Sequence, residues 1–508
     1  MFGQSSLGTQ GSLGRPGGKK WWRLDTQRVL VILFLIALFA MSAREIVDPD
    51  FWWHLATGRY IVETRSIPHH DVFSYTATDH KWITHEWLTQ IIMIGLYDLG
   101  GLNALLLATS ALIALTFFVV YLQCAARPHL AVFVVLLGAL ASAVTWGARP
   151  QMVNMILAAW FMWLVYHYRA GARWVLWALP LSTVLWVNLH SGFFLGLAVL
   201  ALWVGGETLA RLIGQQTDDT MSWVQIRDLA LSLLACVLAS LVNPNGYKML
   251  WYPFETLGSS AMQRYIQEWA PPDFRRIEYW PALLLLLGGA AAMPFSKRKH
   301  DLTEILFFLG LGFASLLSAR HIPLFSVIAT PILTRILAQV EIGRVRWDLS
   351  RLPRPRPPSP GMAILNWVLV LVGCLAAVFW VADVAIENRD VEARLYPLDA
   401  LAYIEENGLT DQRMYNTYNW GGYLLWRGYR VYIDGRADVY LDEFMDEYVL
   451  AYQLRGNWRQ PLDRFDVDYI LIESGASFES LLQESTEWNR VYRDDQAVIF
   501  VRAPVTEG

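Results

Sequence analysis

The densest group of side chains able to do chemistry is the run DPDFWWHL, residues 48–55. Asp48 and Asp50 flank Pro49, which restricts φ and interrupts a helix. Carboxylates two residues apart on an extended segment point to opposite sides, so one could enter a cavity while the other anchors the loop. If a helix starts at Asp50, His54 shares its face. We interpret Asp50 and His54 as functional residues.

The loop that contains this run, residues 44–87, carries seven carboxylates. Asp71 lies near its middle, and His85 and Glu86 lie at the entry to the next apolar element. Histidine and glutamate can ligate zinc, but the loop has neither a His-x-x-x-His nor a His-Glu-x-x-His spacing. No dedicated zinc site is therefore predicted.

A membrane scaffold must hold these side chains. Of 508 residues, 55% are hydrophobic and only 17% are charged, against about 25% in soluble domains. The 24 Trp and 22 Tyr are typical of membrane–water interfaces, and we interpret Trp52 and Trp53 as part of an aromatic belt. Residues 87–99 are too short to span and suit an interfacial or re-entrant helix. A span needs roughly 20 apolar residues, and about eleven segments qualify: 27–44, 101–124, 129–147, 150–168, 173–188, 191–211, 228–243, 279–295, 302–319, 321–340 and 363–385.

Lys and Arg in the short loops predict the orientation, because such loops stay in the cytoplasm. A cytoplasmic N-terminal tail, residues 1–26, puts the basic loop 343–357 on the same side. The loops 44–87 and 243–278 and everything after residue 386 then face away from the cytoplasm. We expect a multi-pass protein of the inner (plasma) membrane. A net charge of -4 and the lack of a long basic tract outside short loops speak against a nucleic-acid partner.

The last part of the chain, residues 386–508, differs in pattern from the predicted transmembrane domain 27–385. Strand-like and helix-like runs alternate there, which is typical of a small α/β domain outside the membrane. The fold class expected is thus an α-helical polytopic membrane protein with an extracytoplasmic α/β C-terminal domain. The expected strands are 430–434, 467–473, 489–494 and 497–502, and the expected helices are 444–454 and 477–485.

Polar side chains recur where the predicted spans meet the extracytoplasmic side: Arg149, His190, Asn243, Arg320 and His321. A charge at membrane depth is costly and usually marks a pair or a pathway. Taken singly, Arg149 and Arg320 could simply extend to lipid headgroups. As a set on one membrane face, we interpret these side chains as functional.

This organisation resembles the GT-C superfamily of membrane glycosyltransferases. The resemblance rests on the acidic first external loop with a short interfacial helix, the many spans and the external α/β domain. At the level of motifs, it is similar to bacterial proteins carrying DPDxWWHLxxG and HEWL. It implies a polyprenyl-phosphate-linked sugar donor and an Asp or Glu of the first loop as base or metal ligand. Asp50 or Asp48 matches that position, although DPD differs from the Asp-Asp or Asp-Glu pair of many members.

The resemblance also implies roles for the other polar residues. Arg149 and Arg320, with His190 and His321, would bind the donor phosphate, because arginine makes bidentate phosphate contacts. A divalent cation, Mg²⁺ or Mn²⁺, could be shared by Asp48 and Asp50, since hard cations prefer carboxylate oxygens; some members need none. Supporting or acceptor-side roles are expected for His54, Asp71, His85, Glu86, Asn243, Trp420, Asp434 and Arg436.

The segment Trp420-Gly421-Gly422-Tyr423 is similar to the Trp-Trp-Asp-Tyr-Gly motif with which oligosaccharyltransferase catalytic subunits recognise an acceptor peptide. The acid of that motif is missing, so peptide recognition is not carried over. The two glycines alone predict a tight turn. Asp434, Arg436 and Asp438 could form a charged rim facing the membrane-side cavity.

The function expected is transfer of a sugar from a polyprenyl-phosphate-linked donor to a glycan, lipid or protein acceptor on the extracytoplasmic face. Asp50 or Asp48 would act as the general base, with a pKa near the operating pH. Two alternatives stand beside this one. A transporter or flippase for a lipid-linked or anionic solute would use the same polar span ends, but inverted repeats, which would favour it, are not evident. A non-catalytic scaffold of an envelope-assembly complex would use the C-terminal domain for binding.

Overall fold

A computed structural model describes residues 24–78, 80–342, 345–346, 349 and 358–504. The N-terminal tail up to residue 23 and most of the basic loop 343–357 lie outside these ranges, so the predictions made for them concern residues that are not described. Between residues 24 and 387 the described chain forms fourteen α-helices. They are α1 (Thr26–Ser42), α2 (Asp50–Thr64), α3 (Trp87–Leu122), α4 (Pro128–Ser142), α5 (Val153–Arg169), α6 (Val175–Leu189), α7 (Phe193–Leu212), α8 (Trp223–Ala239), α9 (Lys248–Gly258), α10 (Ser260–Tyr265), α11 (Trp280–Ala292), α12 (Leu302–Leu317), α13 (Ile322–Leu337) and α14 (Pro360–Glu387).

All eleven segments that the sequence predicts as spans are helical, and α2, α9 and α10 are the helices outside them. By length and composition, five helical stretches among the described residues could cross a membrane. They are Trp87–Leu122, Pro128–Thr145, Phe193–Leu212, Ile277–Phe295 and Pro360–Glu387. The helices in the other predicted spans are shorter. Because an α-helix rises only about 1.5 Å per residue, each of them covers less of the bilayer thickness. The count of about eleven spans therefore stays a prediction.

Helix α3 is broken near its middle. Gly100 and Gly101 have non-helical backbone angles, and Gly101 has a φ of 63°, which a residue with a side chain rarely adopts. A short helix from Trp87 thus ends at the glycine pair, and a long apolar helix continues to Leu122. The separate short helix predicted over residues 87–99 is confirmed.

The described C-terminal region adds six helices and a four-stranded sheet. A short antiparallel pair, β1 (Glu341–Ile342) and β2 (Val345–Arg346), precedes α14. The sheet runs in the order β3-β4-β6-β5, with β3 parallel to β4 and the other pairs antiparallel. The elements are α15 (Val391–Leu395), α16 (Leu398–Glu406), β3 (Met414–Asn416), α17 (Tyr418–Trp426), α18 (Ala437–Tyr452), α19 (Arg459–Arg464), β4 (Tyr469–Glu473), α20 (Ser477–Glu484), β5 (Trp488–Arg493) and β6 (Ala497–Arg502).

The predicted α/β character is confirmed, with two corrections. Residues 430–434 form no strand, and only a single bridge joins Val431 to Ser74 of the first loop. The strand before them is β3, where Asn416 side-chain contacts hold the 432–433 backbone instead of a ladder. Gly421 and Gly422 lie inside helix α17 rather than in a turn. Gly422 is needed for packing, because a Cβ there would lie 2.7 Å from the Pro49 carbonyl oxygen.

The first loop packs with the C-terminal region in one hydrophobic core, while a second core fills the helix bundle. Trp52 is fully buried against Tyr396 and Tyr423, with ring centroids 6.0 and 5.0 Å away in edge-to-face geometry. Trp53 is also buried. The interpretation of these tryptophans as an interfacial belt is therefore wrong, since both rings face protein.

Candidate active site

One arginine contacts three carboxylates from two parts of the chain. Arg149 Nε lies 3.0 Å from Asp48 Oδ2, and its Nη2 lies 2.7 Å from Asp50 Oδ2. Its Nη1 lies 2.5 Å from Glu268 Oε1. We call these four residues the open cluster, because each side chain keeps part of its surface exposed to a cavity. Arg149 precedes α5, and Glu268 comes from the 3₁₀ turn Gln267–Trp269 after α10.

The local backbone explains why both aspartates reach Arg149. Pro49 starts the helix rather than ending one, as proline does well at a first turn. Asp50 is the first residue of α2, and its N–H donates to Asp48 Oδ1 at 2.9 Å. The expectation that the two carboxylates point to opposite sides of an extended segment is therefore wrong. Gly435 leaves room for Asp50, since a Cβ at that glycine would lie 1.8 Å from Asp50 Oδ1.

The open cluster lies on a cavity of about 600 Å³, the central cavity. Nine of the sequence-predicted site residues line it: Asp48, Asp50, His54, His85, Glu86, Arg149, His190, Arg320 and Arg436. A smaller cavity of about 200 Å³ adjoins it and shares Arg320, Glu268 and Trp269 with it. We call it the apolar slot after its apolar residues, such as Met155 and Leu324, although polar residues also line it. His321 lines this slot, and its Nδ1 lies 3.3 Å from the Ala314 carbonyl oxygen.

Arg320 is exposed at the junction of the two cavities. Its guanidinium lies over the Trp269 ring, 4.0 Å from the centroid, a cation–π contact. Among the described residues, none places a carboxylate oxygen within ion-pair distance of Arg320. Its charge is therefore available to an anion in either cavity.

Burial dominates the proton affinity of the aspartates. It raises the pKa of Asp50 to about 7, with Arg149 pulling the pKa down and Asp48 and Glu268 pushing it up. Burial also raises the pKa of Asp48, against the attraction of Arg149. Burial disfavours the charged form of Arg149, but the surrounding carboxylates reverse this and raise its pKa. A carboxyl with a pKa near neutrality can take up and release a proton at working pH.

A second group of titratable side chains surrounds Glu86, whose carboxylate contacts three imidazole rings. Glu86 Oε1 lies 3.0 Å from His190 Nε2 and 3.4 Å from His85 Nε2, and Oε2 lies 3.2 Å from His54 Nδ1. Burial opposes ionisation of Glu86, but these contacts outweigh it and hold its pKa well below the usual range. Burial lowers the pKa of His54 to about 3 and also lowers that of His190. Burial acts in the same direction on His85, but Glu86 reverses it and raises the pKa.

The ligand atoms of His85, Glu86 and His190 lie within 4.8 Å of one another, close enough to hold a metal ion by distance alone. The Gly192 N–H donates to His190 Nδ1 at 2.8 Å. Nδ1 is therefore unprotonated, and the neutral ring carries its proton on Nε2, which donates to Glu86. A protonated Nε2 cannot ligate a metal. The group fits a hydrogen-bonded hub better than a metal centre.

The remaining sequence-predicted residues have structural partners. Arg436 is fully buried between Asp71 and Asp434, at 2.5 and 2.7 Å, with its guanidinium 4.7 Å from the Trp82 ring centroid. Arg436 lines the central cavity, but its guanidinium forms ion pairs with Asp71 and Asp434. This triad of residues joins the first loop to the C-terminal domain.

Two further predicted residues, Trp420 and Asn243, line neither cavity. Trp420 Nε1 donates to the Leu395 carbonyl oxygen inside the C-terminal core. Asn243 Nδ2 donates to the carbonyl oxygens of Ser240 and Gly246 and fixes a turn. Of the predicted charged rim, Asp438 lines the central cavity, and Asp434 does not.

No protein-family model and no curated protein sequence matches the chain, so its likeness to known proteins is visible in three dimensions. The apo oligosaccharyltransferase of Archaeoglobus fulgidus matches with a TM-score of 0.52 and 12% identity, over 89% of this chain and 70% of that one. The same enzyme tethered with an acceptor peptide containing the NVT sequon gives 0.53 and 11%, over 96% and 75%. ArnT from Cupriavidus metallidurans bound to undecaprenyl phosphate gives 0.47 and 12%, over 94% and 98%.

The chain has a GT-C fold. The predicted resemblance to this superfamily is confirmed, and at these identities the likeness concerns the fold alone.

Two residues of the candidate site, Glu268 and Tyr252, were not predicted from the sequence. Tyr252, on α9, lines the central cavity and donates to Asp438 Oδ2 at 3.1 Å. Glu268 lies beside Trp269 in the predicted external loop 243–278, and an acid next to an aromatic in that loop was the available signal.

Proposed function

We propose that the protein is a membrane glycosyltransferase that moves a sugar from a polyprenyl-phosphate-linked donor to an acceptor on the extracytoplasmic face. The observation that carries this proposal is the position of Arg320. An arginine with no carboxylate partner among the described residues lies between an apolar slot and a cavity that contains carboxylates. That arrangement suits an amphipathic donor with an apolar tail and an anionic head.

The apolar slot would take the start of the lipid tail. About half of its lining residues are apolar, and most of these come from α5, α7, α9 and α13, including Met155, Phe194, Leu257 and Leu324. The phosphate would then lie at Arg320, where a planar guanidinium can make two parallel hydrogen bonds to phosphate oxygens. The sugar would extend into the central cavity toward Asp50.

Asp50 would act as the general base. Its carboxylate takes the proton of an acceptor hydroxyl while that oxygen forms a bond to the anomeric carbon and the bond from this carbon to the phosphate oxygen breaks. Arg320, and Arg149 once it exchanges a carboxylate for the phosphate, would stabilise the charge on the departing lipid phosphate. Direct displacement of this kind inverts the anomeric centre. Asp48 would fix the position of Asp50 through the hydrogen bond to its N–H.

A divalent cation shared by Asp48 and Asp50 stays a prediction from the sequence. Both carboxylates already contact the Arg149 guanidinium, so a cation bridging them would have to displace it. The reaction proposed here uses no step through a metal.

The GT-C fold supports this proposal over the transporter and the scaffold. The oligosaccharyltransferase that shares the fold acts as a transferase, as its name states, and one of its structures holds an acceptor peptide. A transporter would move the lipid-linked sugar without cleaving it, and a scaffold would do neither. Covalent turnover therefore separates the three functions.

The test is transfer of radiolabelled sugar from polyprenyl-phosphate donors to envelope material by purified protein in liposomes. Asp50→Asn keeps the shape of the side chain but removes the proton acceptor, and we expect the rate to fall by about 10²–10⁴. Donor binding should persist, because Arg320 is untouched. Asp273→Asn, in an exposed loop of the same predicted side, is the matched control and should keep the wild-type rate.

Asp48→Asn sharpens the assignment. If a cation is shared, this variant should lose activity as Asp50→Asn does, and EDTA or added Mn²⁺ should change the wild-type rate. If Asp50→Asn and Asp48→Asn both transfer sugar at the wild-type rate, the base assignment and the mechanism proposed here are wrong.

A further inference from the structure

A second, larger cavity of about 1090 Å³ adjoins the central cavity, and we call it the outer groove. The two share Tyr252, Thr256, Met262, Ala437 and Asp438. The walls of the outer groove come from the first loop, from the segment around α9 and from the start of α18. The outer groove therefore leads from the surface to the carboxylates of the open cluster.

Large aromatic rings lie uncovered along this groove. Tyr247 is 66% exposed and Trp251 is 62% exposed, and both line the groove. They are four residues apart at the start of α9, which puts them on one face of the helix. The Trp251 ring is oriented by an edge-to-face contact with Phe254, 5.8 Å between centroids. These two exposed rings on one helix face make it a candidate binding surface.

Beside the apolar side chains, the groove has a polar wall formed by residues of the first loop and of α9. Lys81 and His70 of the first loop line the groove, as do Lys248 and Glu255 of α9. These side chains offer donors and acceptors that an occupant with many hydroxyl groups could use. An acyl chain would find no partner for them, and their desolvation would be unfavourable.

A strained residue also lies on the groove. Leu441 has a φ of 65° and a ψ of 168°, a region that residues with a Cβ rarely adopt, and it interrupts α18. Its side chain is exposed and lines the groove. Hydrogen bonds on either side hold this break. Asp438 accepts from the Tyr252 hydroxyl, and Asp442 accepts from the Ser259 hydroxyl at 2.6 Å. Strain of this kind persists only where the surroundings enforce it, and it often marks ligand sites.

We propose that the outer groove binds a glycan chain and that the acceptor of the reaction is the end of this chain. The binding of a glycan is inferred from the groove alone. Its role as the acceptor rests on the proposed function. The faces of sugar rings carry C–H groups, which are attracted to the negative face of an aromatic ring. Tyr247 and Trp251 would stack against successive sugars, and the polar wall would bind their hydroxyls. The terminal sugar would enter between Tyr252 and Asp438 and present its hydroxyl to Asp50.

The test measures equilibrium binding to Asp50→Asn protein in nanodiscs, so that no transfer is needed. Calorimetric titrations would use maltohexaose, cellohexaose, chitohexaose and a hyaluronan hexasaccharide, with a polar hexapeptide in parallel. We expect saturable binding of at least one hexasaccharide. Trp251→Ala should weaken it by about tenfold or more, the effect of removing one stacked ring at a binding site. Trp280→Ala is the matched control, because Trp280 is half exposed and lies outside the groove.

Three results would overturn the proposal: no hexasaccharide binds, binding is equal in Trp251→Ala, or the hexapeptide binds more tightly and depends on Trp251. Strong quenching of Trp251 fluorescence by brominated lipid in a variant lacking the neighbouring tryptophans would also overturn it, since the ring would then lie in the bilayer. Failure of the proposed transferase reaction shows separately, as an unchanged transfer rate in Asp50→Asn.

A second variant separates binding from folding. Leu441→Gly relieves the backbone strain and removes the exposed side chain. If Leu441 serves the groove, hexasaccharide affinity should fall while the thermal midpoint stays level or rises. An unchanged affinity, whatever the midpoint does, would overturn the assignment of Leu441 to the binding surface of the groove.

Discussion

Two clusters of charged side chains lie at opposite ends of the same helices. The open cluster lies at the start of α5, which follows Arg149 in the chain. Arg320 lies just before α13, at the same end of the helices. The other group, the closed cluster, lies where α5 and α13 end. It consists of Arg169, Arg298, Arg335, Glu207, Asp301 and Glu304, joined by ion pairs such as Arg169 Nη2–Asp301 Oδ2 at 2.5 Å and Arg298 Nη1–Glu304 Oε2 at 2.7 Å.

The two clusters differ in charge balance and in exposure. The closed cluster has three arginines and three carboxylates, and the Glu304 side chain is only 4% exposed. The open cluster has one arginine and three carboxylates, and Glu268 is 34% exposed. Buried charges persist when each has a partner. A surplus of negative charge lies beside Arg320, which has no carboxylate partner in the described part of the chain, and this indicates a place where protons and a ligand complete the balance.

The largest contrast should appear between two matched amide substitutions. Glu304→Gln leaves Arg298 and Arg335 without their shared carboxylate in a buried site, which should cost about 3–5 kcal/mol of stability. Glu268→Gln removes one of three carboxylates around a single arginine and should change stability by less than about 1 kcal/mol. Thermal unfolding of both variants in the same detergent gives the comparison. Equal losses would mean that the clusters do not differ in the way described here.

A smaller effect is expected from crowding the open cluster. Gly435→Ala places a Cβ against the Asp50 carboxylate, and overpacking of this kind costs about 1–3 kcal/mol. If the added Cβ displaces the Asp50 carboxylate from its reacting position, the transfer rate should fall by about 10- to 100-fold, with donor affinity kept. Gly361→Ala is the control, because nothing lies within 4 Å of a Cβ there. A wild-type rate in Gly435→Ala would show that the position of Asp50 is not critical.

The smallest effect is a shift in pH dependence. A general base works only when deprotonated, so with a pKa of about 7 for Asp50 the rate should fall about tenfold per pH unit below neutrality and level off above it. Arg149, Asp48 and Glu268 face this carboxyl, and Glu268 raises its pKa. Glu268→Gln should therefore move the inflection to lower pH. A pH profile of transfer that is identical in Glu268→Gln and wild type would contradict the coupling.

The sequence by itself determined the elements and most of the candidate residues. Long apolar runs must be helical in a bilayer, because their backbone groups find no water to bond. The short, continuous apolar runs of β4 and β6 likewise predicted their strands nearly residue for residue. The first-loop acids and the arginines at the span ends stood out because charge is rare beside apolar runs.

Only the tertiary structure decided which of these charges meet. Glu268 lies 119 residues from Arg149 along the chain and joins it through the packing of distant helices, for which the sequence has no local signal. The same packing buries the Arg436 guanidinium between Asp71 and Asp434 instead of leaving the predicted rim open. It also turns Trp52 inward against Tyr423. Composition and periodicity report the environment of a residue, whereas partners far apart in the chain are selected by the complementarity of whole packed surfaces.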